Sequence, residues 1–186
     1  MKRLETVYLA GFEAFLPEPE AHDAHRAALA QMHGLEALIP SYETGGEPAE
    51  VAGRAIYAQR AALMRRADAA IVNLTPWRGP SCDPGAAFEA GFMAALGKPV
   101  FAYLNIDREE EAEYRGRVDL WLGVSQSEDG IWRDAYGCAV EDLGLPEGVM
   151  LWAEARRLFV VAAGDPLTDL TGLELCLDAA RAYGSD

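Results

Sequence analysis

The sequence predicts an α/β domain built around a parallel sheet of five strands. Short apolar runs alternate with stretches of helical spacing, the pattern of strands joined by crossover helices. The run Ala69-Ala70-Ile71-Val72-Asn73-Leu74 is almost continuously apolar, as expected of a parallel strand covered on both faces. The helix that follows has complete boundary signals: Asp83 at the N-cap and Pro84 at N1, then Gly97 at C′ with Lys98 and Pro99 beyond.

In chain order, residues 6–10 (TVYLA) form a first strand ended by Gly11, and residues 12–19 a loop. Residues 20–32 have helical spacing through Ala24, Ala27, Ala28 and Gln31-Met32, and Gly34 ends them. A second strand at 35–39 stops at Pro40, and residues 41–48 are a loop centred on Gly45-Gly46. A helix covers 49–66, the third strand 69–74, a loop 75–82, the next helix 84–96 and the fourth strand 100–104. Residues 107–123 begin with the charged run Arg108-Glu109-Glu110-Glu111 and become amphipathic, so they are partly helical. Residues 124–145, with Gly130, Gly137 and Gly144, lack periodicity and are expected to be irregular, over the site or at a subunit contact. The fifth strand is 158–162, and a C-terminal helix covers 166–183 with Leu170, Leu173, Leu177 and Ala180 on one face.

The 186 residues suffice for one domain with its own core, taken as residues 1–186. A formal net charge of −14 opposes binding to nucleic acid or to an anionic membrane surface, both of which need a basic face. No signal-peptide pattern follows Met1, and no apolar run approaches the roughly 20 residues of a membrane span, so a cytoplasmic protein is expected. Cys82, Cys138 and Cys176 are odd in number and far apart, without metal-ligand spacing, and read as reduced thiols. His22 and His25 stand at i, i+3 on the first helix, but no third ligand accompanies them. They read as a solvated face, and no metal is expected.

Between its caps the 84–96 helix is apolar or side-chain-free at every position except Glu89. Such a helix is expected to be buried on all sides. Gly85, Phe88, Phe92 and Leu96 lie on or beside the stripe of Glu89. A lone carboxylate there loses hydration, and that cost is tolerated with a partner or a purpose; the plain alternative is a Glu at the helix edge. Ligands of parallel α/β sheets bind beyond the carboxyl ends of the strands, where residues 8–11, the 75–82 loop and the start of this helix converge.

That region offers Tyr8, then Trp77, Arg78 and Asp83 in one loop. Tyr8 also suits a core position. Trp77 suits either stacking on a planar ligand or anchoring its loop. Asp83 is explained by capping alone, or by capping and acid chemistry together. No G-x-G-x-x-G, Walker sequence or G-x-S-x-G elbow is present. What remains is a pair of carboxylates, Asp83 and Glu89, six residues apart. Such pairs suggest glycosyl chemistry, in which one carboxylate attacks or stabilises the anomeric carbon and another group handles the leaving-group proton.

Tyr8-Leu9-Ala10-Gly11, Phe15-Leu16-Pro17, Arg66-Ala67-Asp68, Asn73-Leu74-Thr75-Pro76, Arg78-Gly79-Pro80-Ser81, Asp83-x-Gly85-x-Ala87-Phe88-Glu89-x-Gly91 and Gly97-Lys98-Pro99-Val100 resemble the nucleoside 2-deoxyribosyltransferases. The resemblance runs through nearly the whole chain and is dense over residues 66–103. It implies a flavodoxin-like, three-layer fold and transfer of 2-deoxyribose between nucleobases by double displacement. Glu89 falls on the nucleophile that forms the deoxyribosyl ester, Tyr8 on the tyrosine that orients it, and Asp83 on the acid near the base. Gly11, Trp77, Arg78, Gly85 and Arg60 are taken as substrate-binding. No cofactor is implied; the partners are a nucleoside or nucleotide and a free nucleobase, in a homo-oligomer with sites near subunit contacts.

Two positions depart from the resemblance. Arg60 stands eight residues before Asp68, where Asn or Asp is usual, and Gly148 stands where an Asn usually reaches a neighbouring subunit's sugar hydroxyl. Arg60 either offers a fork to a 5′-phosphate or is a solvated residue beside Arg65 and Arg66. Transfer of the sugar to water, and a nucleotide-binding protein without catalysis, are the alternative functions.

Overall fold

The computed structural model describes residues 3–42 and 45–183. Met1 and Lys2 at the start of the chain and residues 43 and 44 of the predicted 41–48 loop lie outside them. Strands β1 (Thr6–Ala10), β2 (Glu36–Leu38), β3 (Ala69–Asn73), β4 (Val100–Ile106) and β7 (Arg157–Ala162) form a five-stranded parallel sheet in the order β2-β1-β3-β4-β7. Helices α2 (Ala49–Arg66), α3 (Pro84–Ala95) and α5 (Val149–Glu154) cover one face, and α1 (Pro19–Met32) and α6 (Thr171–Tyr183) the other. This is the predicted three-layer α/β architecture.

Alternation along each strand builds both cores. Tyr8, Ala10, Ala70, Val72, Val100, Ala102 and Leu104 point towards α2 and α3, while Val7, Leu9, Ala69, Ile71, Phe101 and Tyr103 point towards α1 and α6. Burial on both sides is why β3 and β4 are apolar apart from Asn73 and Asn105 near their carboxyl ends and the Tyr103 hydroxyl. The strand order reverses direction at β1 and β3, so the crevice beyond their carboxyl ends is where such a sheet takes ligands.

Several boundaries differ from expectation. β4 runs on to Ile106 because β7 pairs with it as far as Ile106 opposite Ala162. α6 begins at Thr171, since the Asp165 carboxylate folds residues 165–168 into a turn by accepting from Leu167 N and Thr168 Oγ1 at 3.2 and 2.7 Å. The segment expected to be irregular contains an antiparallel hairpin, β5 (Val124–Gln126) and β6 (Trp132–Asp134), preceded by α4 (Tyr114–Leu122). Neither hairpin strand contains a buried residue, so there was no alternation to detect.

α3 is not covered on all sides. Ala86, Glu89, Ala90 and Met93 are buried, whereas Phe88 and Leu96 are 56% and 40% exposed. Phe88 lies between the rings of Tyr57 and Phe92, at 6.4 and 6.2 Å between centroids. The helix ends as predicted: Gly97 has φ +70°, and the Lys98 ammonium donates to the carbonyls of Met64, Arg65 and Ala67, which fastens the end of α2 to the turn before β4.

Two glycines test this packing with opposite signs. A Cβ on Gly172 would stand 2.3 Å from Cδ2 of the buried Tyr103 ring, so Gly172→Ala should destabilise by about 1–3 kcal/mol, as overpacking does. Gly53, exposed within α2 with nothing within 4 Å of an added Cβ, should gain about 1 kcal/mol on substitution by Ala. Urea unfolding of the two variants against wild type measures both.

Candidate active site

Glu89 projects from the inner face of α3 towards the carboxyl end of β1 and is 3% exposed. Arg60 of α2 donates from Nη1 to Glu89 Oε1 at 2.7 Å. With its side chain 15% exposed, Arg60 is not the solvated residue that its neighbours Arg65 and Arg66 suggested. Tyr8, fully buried at the end of β1, faces the same carboxylate. The two groups alter one another's ionisation without meeting hydrogen-bond geometry, and both Tyr8 Oη and Glu89 Oε2 lack partners among the described residues. Burial pushes Glu89 above the usual carboxylate range, opposed mainly by the Arg60 charge, while Asp83 adds to the upward push. Burial, then Glu89, pushes the Tyr8 hydroxyl far upward, so it stays protonated and able to donate.

Asp83 caps α3 by accepting from Ala86 N at 3.1 Å. Gly85 makes room for that cap, because a Cβ there would lie 2.7 Å from Asp83 Oδ2. Capping is thus one role of Asp83, and its carboxylate is also close enough to Glu89 to act on it electrostatically. Trp77 stacks on Phe12 at 4.6 Å with the planes 9° apart, and its N–H to Ser81 O at 3.0 Å closes the loop. It therefore anchors the loop. Arg78, at φ +56°, lays its guanidinium over Trp77 and Phe15 at 4.8 and 5.7 Å from the ring centroids.

Gly11 faces a second buried carboxylate. Glu13 is 1% exposed, in the 3₁₀ turn Glu13–Phe15. Its Oε1 accepts from Asn73 Nδ2 at 3.0 Å and Tyr103 Oη at 3.4 Å and pairs with Arg26 Nη1 at 3.0 Å. A Cβ on Gly11 would meet Glu13 Oε2 at 2.0 Å, so the glycine is required by close approach. Asn73 in turn accepts from Thr75 N at 3.0 Å, and Thr75 Oγ1 accepts from Asn105 N at 3.0 Å. The network ties the ends of β1, β3 and β4 into a floor.

The sequence reading did not single out Glu13, Tyr42 or Arg117. Glu13 sits among Phe12, Ala14, Phe15 and Leu16, the same lone-carboxylate signal that marked Glu89. Tyr42 lies under the Arg60 guanidinium at 5.3 Å and meets Phe15 edge-on at 4.9 Å; no local pattern announces it. Arg117, 1% exposed, donates to Pro80 O, Glu111 O, Pro146 O and Glu147 Oε2 at 2.7–2.9 Å. It joins the loop before α3 to the segment before α5, where Gly148 N is held by Glu147 Oε1 at 2.9 Å. Gly148 thus heads α5, which packs against α3, while Arg60 approaches α3 from α2. The thiol of Cys82, beside Asp83, is pushed up to about 12 by burial and then by Glu147 and Asp83, so it is no nucleophile at neutral pH.

A buried carboxylate with one oxygen held and the other without a partner among the described residues, beside a protonated tyrosine and a helix-capping aspartate, is equipped to attack an electrophilic carbon. The family model for nucleoside 2-deoxyribosyltransferases matches residues 7–150. The chain belongs to that family. Over 167 residues it is 30% identical to an uncharacterized protein of Schizosaccharomyces pombe, spanning 80% of this chain and 75% of that one. Among solved structures it is similar to a 2-desoxiribosyltransferase from Leishmania mexicana, with TM-score 0.62 and 24% identity over 96% of this chain and 98% of that one. It is also similar to a conserved protein from Enterococcus faecalis V583, with TM-score 0.54 and 17% identity over 95% and 98%. Both likenesses are of fold.

The Glu13 network gives a stability prediction within the family frame. Removing one partner of a buried ion pair costs about 3–5 kcal/mol. Glu13→Ala should approach that loss, moderated because Asp23 still accepts from Arg26 at 2.6 Å. Urea denaturation followed by circular dichroism is the measurement, and a loss under about 1 kcal/mol would contradict a structural floor.

Proposed function

We propose that the chain transfers 2-deoxyribose from one nucleobase to another by double displacement, with Glu89 as nucleophile. The observation that carries this is Glu89 itself: a carboxylate 3% exposed, at the carboxyl edge of the sheet, with Oε2 unpartnered, in a chain of this family. In the first displacement Oε2 bonds to C1′ as the C1′–N bond breaks; the electron pair goes to the base, which takes a proton from Asp83. In the second, a nitrogen of the incoming base attacks C1′, its proton passes to Asp83, and the ester's electron pair returns to Glu89. Tyr8, protonated and facing the carboxylate, helps to orient it. The donors are deoxynucleosides or deoxynucleotides, and the acceptor is a free nucleobase. The open apolar face of α3 around Phe88 supports pairing of two copies there, which light scattering would read as a doubled mass.

The test is incubation of a deoxynucleoside with adenine, scoring exchanged nucleoside and free sugar separately. Exchange is expected, and release of free deoxyribose without exchange would mean water is the acceptor. Glu89→Ala should lose at least about 10³-fold in rate, as when a member of a covalent mechanism is removed. A variant keeping a tenth of wild-type turnover would exclude Glu89 as nucleophile. Because attack needs the carboxylate, and burial raises Glu89, the wild-type rate should fall on acidification at a higher pH than an ordinary glutamate would give.

Asp83→Asn separates capping from acid catalysis. Asn caps about as well as Asp, so the variant should melt within about 1 °C of wild type, roughly half the smallest shift that 1 kcal/mol gives a domain of this length. Its cleavage should slow, least for bases that leave readily. Unchanged kinetics with a lowered melting temperature would reduce Asp83 to a cap.

A further inference from the structure

Three buried polar atoms around Glu89 have no partner among the described residues: Glu89 Oε2, Tyr8 Oη and Arg60 Nε. They surround a carboxylate whose other oxygen is already taken. Arg60 Nη1 holds Oε1 at 2.7 Å, and Arg60 is itself seated over the Tyr42 ring at 5.3 Å, with Tyr42 against Phe15. The guanidinium is therefore oriented by an aromatic support on one side and by Glu89 on the other.

Resting on the transferase reading above, we propose that Arg60 is a positioning residue: it fastens Glu89 by Oε1, leaves Oε2 as the attacking oxygen, and stabilises the carboxylate when the ester breaks. The charge balance supports this over recognition of a phosphate. A guanidinium hydrogen-bonded to a carboxylate at 2.7 Å, with its side chain 15% exposed, has its charge matched locally. A phosphate dianion brought beside it would also meet Glu89 and Asp83. The titratable and charged groups facing Glu89 are Arg60 from α2, Tyr8 from β1 and Asp83 from the head of α3, so Arg60 supplies the positive charge among them.

The two half-reactions weigh this contact differently. Before attack, a carboxylate held by a cation is less basic, but it stays ionised despite burial. During breakdown of the ester the C1′–Oε2 bond gives its electron pair back to Glu89, and the adjacent cation stabilises the departing carboxylate. Loss of the charge should therefore raise the pH at which Glu89 ionises. On the alkaline plateau, where Glu89 is ionised in both proteins, it should slow the second half-reaction more than the first.

Carbon-13 NMR of labelled glutamate carboxyls, with the Glu89 signal assigned by Glu89→Gln, reads the ionisation without requiring turnover. In Arg60→Gln the midpoint should move to higher pH, and Arg60→Lys, which keeps the charge, should restore most of the wild-type value. Equal midpoints in all three proteins would overturn the proposal. In turnover on the alkaline plateau, intact-mass spectrometry should find a larger steady-state fraction of ester in Arg60→Gln. The ratio of kcat/KM for deoxynucleotide over deoxynucleoside should change less than about 3-fold, well below the effect of losing a charged contact. If that ratio instead falls roughly ten- to a hundred-fold while the pH profile stands still, Arg60 contacts phosphate and the positioning role is wrong. A wild-type protein that turns over no nucleoside would end the transferase reading, while the NMR titration would still decide whether Arg60 governs Glu89.

Discussion

The pairing of Arg60 with Glu89 governs what the carboxyl edge of this sheet can do. A carboxylate that is 3% exposed has lost nearly all of its water, and burial alone would favour the neutral acid. A single guanidinium contact at 2.7 Å opposes that cost without cancelling it, and it does so through one oxygen only. The remaining oxygen is buried and has no partner among the described residues. A buried polar atom left in this state is rare in a core and calls for a functional account, which the proposed nucleophile role supplies.

The same solution recurs on the other side of β1. Glu13 and Arg26 pair at 3.0 Å under α1, and Arg117 and Glu147 pair at 2.9 Å behind the loop that leads into α3. Each pair joins segments that secondary structure alone leaves independent. Glu13 and its partners join the ends of three strands, Arg117 joins two loops, and Arg60 joins α2 to α3. Buried ion pairs contribute little net stability, yet removing one partner is costly, so such pairs specify an arrangement more than they stabilise it. The carboxyl edge is held by matched charges, while the two hydrophobic layers hold the sheet that carries it.

What could be read from the sequence was what the chain encodes locally. Asp83, Pro84 and Gly97 mark the ends of α3 because caps depend on neighbours within a few residues. Glu89 stood out because every other side chain between those caps is apolar or absent. Continuous apolar strands announced a sheet covered on both faces. The pairings that define the site span 29 residues from Arg60 to Glu89 and 60 from Glu13 to Asn73, and no local pattern encodes them. Arg60 stood out as a departure that would either meet a 5′-phosphate or lie solvated beside Arg65 and Arg66, and its contact with Glu89 emerged only once α3 was set beside α2. Trp77 looked equally suited to stacking and to anchoring, and Phe12, two residues beyond β1, decided for anchoring. The β5–β6 hairpin escaped notice because strands of three residues with neither face buried carry no periodic signal.

α3 inverts the ordinary rule for a helix on a sheet. Its one charged side chain points inward, and Phe88, its most exposed large side chain, points outward among Tyr57 and Phe92. An apolar helix predicts burial because hydrophobic side chains leave water; that prediction holds here for the face on the sheet and fails for the face away from it. The inward carboxylate accounts for one half of the inversion, because Arg60 of α2 reaches across to hold it at 2.7 Å. The outward aromatics account for the other half, because Phe88 finds its apolar neighbours in Tyr57 and Phe92 on the helix surface and not in the core. Both sit on one helix, where Glu89 turns in to Arg60 and Tyr8 while Phe88, the residue before it, turns out to Tyr57 and Phe92.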